Sequence, residues 1–132
     1  MTTTIANIDH VMIAIPPDGE NAARLFYSEI LGLVEMAKPA ALITRGGLWY
    51  QVGALQLHLG IDREFRPARK AHVAFIVSNL PGLRQQVIDA GLTVIDDDLL
   101  PGFDRFYLDD PFGNRLEFLE PLAEIRRHQA SR

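Results

Sequence analysis

From Ile8 to Ile15 the chain alternates. Val11, Ile13 and Ile15 fall on one side of an extended backbone, and His10, Met12 and Ala14 on the other. A period of two predicts a strand with one strongly apolar face. Pro16-Pro17 ends it, because proline has no N–H to give a ladder. Asp18 is placed to cap a helix running to about Leu31, with Ala22, Phe26 and Ile30 on one stripe and Gly32 as its stop. Short apolar runs at Val34–Ala37, Leu48–Val52 and Ala54–Leu59, punctuated by Gly46, Gly47, Gly53 and Gly60, predict antiparallel strands. Lys38–Thr44 reads equally as a turn of helix or as strand.

The pattern then restarts. Residues 61–70 carry Asp62, Arg63, Glu64, Arg66, Arg69 and Lys70 around Pro67, which predicts a connector. Its basic residues are either solvated or a guide for an anionic substrate. Ala71–Val77 alternates like the first strand. Asn79 is placed to cap a second helix, with Leu80, Leu83, Val87 and Ala90 on one stripe and Gly91 as its stop. Strands follow at Leu92–Ile95, Arg105–Leu108 and Arg115–Leu119, the last two joined by a tight turn, Asp109-Asp-Pro-Phe-Gly-Asn114. Residues 121–132 form a polar tail. The reading is strand–helix–three strands, twice. His10-Val11 matches His72-Val73 at an offset of 62, and Gln56-Leu-His58-Leu matches Arg115-Leu-Glu117-Phe at 59. The prediction is an α+β chain of two tandem βαβββ modules forming a curved-sheet cleft. Module one covers about residues 5–60 and module two about 71–120, within one domain spanning 1–132.

Composition narrows the function. The 132 residues include no cysteine, which excludes disulfides, thiolate metal sites and cysteine nucleophiles. A net charge of −4 argues against nucleic acid as main partner but not against a small anion. No apolar run approaches the ~20 residues of a membrane span, and the first residues lack a secretion signal, so a cytoplasmic location is expected. Phosphate-binding glycine loops and nucleophile elbows are missing from the sequence.

Strand parity selects the candidate chemistry. If the apolar sets Val11/Ile13/Ile15, Val73/Phe75/Val77, Leu55/Leu57/Leu59 and Leu116/Phe118 pack on the helices, the opposite faces carry His10, His72, His58 and Glu117. One such histidine would mean little, and Glu117 alone could pair with Arg105 or Arg115. Three of the chain's four histidines at repeat-related positions on one inferred face point to a divalent metal. Imidazoles with one carboxylate suit zinc, nickel, iron, manganese or cobalt. The fourth, His128, lies in the charged tail and is read as unrelated. Arg105 and Tyr107 share the cleft side and either bind a substrate carboxylate or hydroxyl or face solvent. Trp49 lines the same cleft or is plain core or interface.

Ile8-Asp-His10-Val, Phe26-Tyr-Ser-Glu-Ile-Leu-Gly-Leu33, Leu57-His-Leu-Gly60, His72-Val73 and Asp110-Pro-Phe-Gly-Asn-Arg-Leu-Glu117 together resemble the vicinal oxygen chelate superfamily. Its members include glyoxalase I, bleomycin- and fosfomycin-resistance proteins, methylmalonyl-CoA epimerase and extradiol dioxygenases. The resemblance implies paired βαβββ modules and a divalent metal held by His10, His72 and Glu117, with His58 as fourth ligand. At His58 the chain departs from glyoxalase I, where a carboxylate that doubles as base is typical. The implied activity is a metal-dependent lyase or isomerase on a small oxygen-rich substrate chelated through two oxygens, with His58 and Glu117 as catalytic candidates. Alternatives are an extradiol-type dioxygenase, a fosfomycin-type transferase and a drug-sequestering protein of the bleomycin-resistance type. Small chains of this kind usually pair, so a homodimer is expected.

Overall fold

A computed structural model describes residues 2–123. The strands are β1 (His10–Ile15), β2 (Val34–Met36), β3 (Leu48–Val52), β4 (Leu55–Ile61), β5 (Val73–Ile76), β6 (Ile95–Asp96), β7 (Phe103–Asp109) and β8 (Arg115–Pro121). They form two four-stranded mixed sheets, ordered β1-β4-β3-β2 and β5-β8-β7-β6. The first strand of each sheet runs parallel to the last and the hairpins are antiparallel. The predicted α+β repeat of two βαβββ modules is present. The chain divides into compact units at Arg66/Pro67, inside the predicted connector.

Register makes the repeat residue-specific. Met12 sits opposite His58 on β4, and Ala74 opposite Glu117 on β8. Across the hairpins His58 faces Trp49, and Glu117 faces Tyr107. His58 and Glu117 are thus equivalent, as are Trp49 and Tyr107.

In the first unit Ile13, Ile15, Leu57 and Leu59 are buried as parity requires, each contributing roughly 1.5–3 kcal/mol. Its helix departs from expectation. Gly19, not Asp18, is the N-cap, and Asp18 takes a left-handed φ of 63° instead. One α-turn, α1 (Glu20–Ala23), passes into a π-helical stretch over Arg24–Ile30, where the Leu31 N–H donates to Phe26, five residues back. The wider turn changes which face is apolar: Ala23, Phe26 and Tyr27 are buried and Ala22 is exposed. Ser28 then meets the Tyr50 hydroxyl at 2.8 Å. The ambiguous 38–44 segment resolves as a 3₁₀ turn, Ala40–Arg45. Gly47 follows at φ +84°, where a Cβ would overlap the Leu59 carbonyl oxygen.

In the second unit α2 (Leu80–Asp89) is capped by Asn79, whose side chain accepts from the Gly82 N–H. Buried Glu120 accepts from the Asn79 and Leu80 N–H groups at 2.7 and 3.0 Å, an anion against the helix's positive end. The predicted turn at Asp109–Asn114 does more than reverse the chain. Asp110 accepts from the backbone of Phe112 and Asn114, and the Asn114 side chain accepts from the Ala68 N–H. Arg69 bonds to Asp109 and the Gly113 carbonyl. The end of the connector is therefore pinned by hydrogen bonds while its side chains stay exposed. Strand β8 takes in Pro121, while residues 124–132 of the predicted tail, with His128, lie outside the described residues.

Candidate functional site

Each unit places two of the predicted donors on the sheet face away from its helix. In the first, His58 stands at the middle of β4, packed in a near-parallel stack between Trp49 (4.0 Å, 4°) and His10 (4.2 Å, 15°). Hydrogen bonds fix both rings: His58 Nε2 to the Gln56 side chain at 2.9 Å, and His10 Nδ1 to Asp9 at 2.9 Å. A carboxylate behind an imidazole sets the orientation of the nitrogen left free. His58 is only 5% exposed. Burial first, and then the neighbouring His10, push its pKa below the ordinary histidine range. Its ring is held neutral, the form a metal ligand or a base must have. These residues line a cavity of about 640 Å³ whose apolar side includes Met12 and Trp49.

In the second unit His72 reaches Glu117. The pinned turn at 110–114 holds Ala68 through both its N–H and, via the Arg115 N–H, its carbonyl. Two residues on, the Lys70 carbonyl stands 2.7 Å from His72 Nδ1. On the far side of the ring, His72 Nε2 lies 2.8 Å from Glu117 Oε1. Both neighbours accept hydrogen bonds, yet a neutral imidazole carries one N–H. The second contact therefore calls for another proton or a cation. Two donors bound at right angles to one ion at ~2.1 Å lie about 3 Å apart, so this spacing suits a shared ion as well. The donor chemistry fits the metal that the sequence implied.

Glu117 is 7% exposed, with its Oε2 3.5 Å from Arg105. Arg105 is committed elsewhere too. It pairs with Asp97 at 3.0 Å, its side chain is 14% exposed, and its Nε is buried without a hydrogen-bond partner. It lies beside Glu117 and over the Tyr107 ring, 5.3 Å from its centroid. Tyr107 does stand on the Glu117 face, under the Arg115 guanidinium at 3.9 Å and edge-on to His72 at 5.8 Å.

The structure thus brings His10, His58 and Trp49 together in one unit, and His72, Glu117, Arg105 and Tyr107 in the other. Among the described residues, no group of three or more His, Asp or Glu side chains is arranged to hold an ion. Sequence reasoning missed Gln56, although it lies two residues before His58 on the same strand face. It also missed Asp97, which no periodicity marks.

The structure is similar to a solved structure described as a glyoxalase family protein from Bacillus anthracis, at 45% identity and TM-score 0.88, covering 92% of this chain and 99% of that one. A glyoxalase/dioxygenase from Nostoc punctiforme is similar at 18% identity and TM-score 0.73, covering 92% and 98%. The fosfomycin resistance protein FosX from Listeria monocytogenes is similar at 13% identity and TM-score 0.72, covering 93% and 99%. These last two attest the fold alone. No family model and no curated protein matches the chain. No helix among the described residues is long and apolar enough to cross a membrane.

Proposed function

Because the chain belongs to the glyoxalase family, within the vicinal oxygen chelate superfamily, we propose that it is a metal-dependent lyase or isomerase acting on a small molecule with two neighbouring oxygens. The observation that carries this reading is His72, wedged between two oxygen acceptors at 2.7 and 2.8 Å, one of them the buried Glu117. His10, His58, His72 and Glu117 would hold one divalent ion, of zinc, nickel, iron, manganese or cobalt, as a set. A divalent ion there supplies Lewis acidity, with net positive charge left to stabilise an anionic substrate oxygen.

The chain's own residues do the rest. Arg105, 3.5 Å from the Glu117 carboxylate, positions it and with Tyr107 borders the substrate. Trp49 and Tyr107, equivalent in the two modules, flank the substrate. His58 accepts the proton removed beside the substrate carbonyl: its ring is desolvated, held neutral and fixed by two stacked neighbours. A nitrogen bound to an ion has no lone pair for a proton, so His58 performs one task at a time, and Glu117 is the second acceptor. The protein acts as a homodimer, since each four-stranded sheet has two edge strands that call for cover.

The donor trio His10, His72 and Glu117 also favours a second reading, an extradiol-type dioxygenase, since two histidines and one carboxylate are the set used by non-haem iron oxygenases. One experiment separates the two. A lyase or isomerase works without oxygen and exchanges a substrate C–H proton with solvent deuterium, and the exchange disappears in His58→Ala with metal still bound. Oxygen uptake stoichiometric with product, without deuterium incorporation, would replace the first reading by the second.

A further inference from the structure

The cavity beside His10 and His58 has a second chemical feature. Its lining includes two cations, Lys38 and Arg45, together with apolar Met12, Leu42 and Trp49. The 3₁₀ turn Ala40–Arg45 separates the two cations in sequence, and both border the same cavity. Arg45 is in its last turn, Gly46 ends it, and Lys38, just before the turn, folds back so that its ammonium donates to the Gly46 carbonyl. One of three ammonium N–H groups is used in this way. Arg45 makes no ion pair among the described residues. Asp9 is the one carboxylate on the lining, and it is bonded to His10 Nδ1 at 2.9 Å.

Two like charges on the lining of one cavity, with the Glu20 carboxylate near Gly46 as their neighbouring anion, leave cationic capacity for a ligand. In a concave, partly apolar cavity, such a pair recognises an oxyanion attached to a small apolar body. We infer that Lys38 and Arg45 form an anion subsite, and that the substrate is an organic oxyanion, a carboxylate, phosphonate or phosphate ester with a short aliphatic or aromatic body. The inference rests on the reading of this cavity as the substrate side of the site. The oxyanion meets the two cations, the apolar body lies against Trp49 and Leu42, and the reacting oxygens face the histidines.

Trp49 is the single tryptophan of the chain, so its fluorescence reports on this cavity alone. The full-length protein is titrated with butylphosphonate, with pentanoate and with neutral 1-butanol, by fluorescence and by calorimetry, with and without EDTA. Saturable binding of both anions is expected, unchanged by EDTA, weakened by raising NaCl from 50 to 500 mM, and not given by 1-butanol. Lys38→Met and Arg45→Gln each weaken it roughly tenfold, the loss of one charge-assisted hydrogen bond. The double variant does not bind, while its circular dichroism spectrum matches wild type. Anion binding by the double variant, or none by wild type, overturns the inference. Binding abolished by EDTA also overturns it, by assigning the anion to the metal, and leaves the proposed function standing. Failure of metal to bind, with anion binding intact, refutes the proposed function and not the subsite.

Discussion

Replacing Glu117 with Gln removes the one charge in the donor set at nearly constant shape. Glu117 Oε1 lies 2.8 Å from His72 Nε2, and Oε2 lies 3.5 Å from Arg105. The amide can turn its NH₂ to the imidazole nitrogen and its oxygen to the guanidinium. His72 then has an acceptor on one side, the Lys70 carbonyl, and a donor on the other, which a neutral ring satisfies fully. Folding loses mainly the attraction to Arg105. That residue keeps Asp97 at 3.0 Å, so no charge is left unpaired, and the cost should be about 1.5 kcal/mol, or roughly 5–8 °C in Tm for a chain this size. Metal affinity should respond very differently. Outer-shell partners of metal ligands already matter by 10–100-fold, so loss of the charged ligand should weaken binding by at least ~100-fold, or about 2.7 kcal/mol. Competition against a chelating dye at pH 7.5 measures the affinity, and a thermal melt of the same sample measures the fold. Wild-type affinity within threefold would refute the assignment of Glu117. A melt lowered by more than ~10 °C would show that the carboxylate is held for structure instead.

Gly47→Ala places a Cβ on the Leu59 carbonyl oxygen at φ +84°, so a loss of more than about 3 kcal/mol is expected by denaturant unfolding, and near-wild-type stability would contradict the hairpin geometry. His58 has its pKa lowered by burial, so between its folded value and the ordinary ~6.5 the unfolded chain binds the extra proton; stability must fall as pH drops through that window. Melts from pH 8 to pH 5 should show that slope in metal-free wild type and a shallower one in His58→Gln; identical slopes would place His58 in water. Light scattering at micromolar concentration should give twice the 14.8 kDa chain mass, and a monomer mass would refute the proposed dimer.

The parts of this molecule that were legible in its sequence are those set by periodicity. Alternation along β1, β4 and β8 puts His10, His58 and Glu117 each on the face of its sheet opposite the apolar set, because a strand's period of two leaves no freedom once the apolar face is known. The repeat offsets foretold the equivalence of His58 and Glu117 that the register displays. The first helix was less legible. A π-helical turn shifts the buried stripe from Ala22 to Ala23 and Tyr27, and helical periodicity of 3.6 does not encode that shift. Long-range polar contacts were hidden for another reason. Asp97 with Arg105, Glu120 with the α2 N-terminus, and Asn114 with Ala68 join residues 8 to 46 apart, and only the folded chain decides those partners. The pairing of Arg105 with both Asp97 and Glu117 is a contact of this kind.

The central claim is that His10, His58, His72 and Glu117 serve one divalent ion. Elemental analysis of protein purified without added metal, repeated after incubation with zinc, nickel, cobalt, manganese and ferrous iron and removal of the excess, tests it most directly. The account predicts about one ion per chain, and less than one tenth of that in the His72→Ala/Glu117→Gln double variant. Wild-type protein that emerges metal-free from every incubation, or a double variant that keeps its full complement, would contradict it.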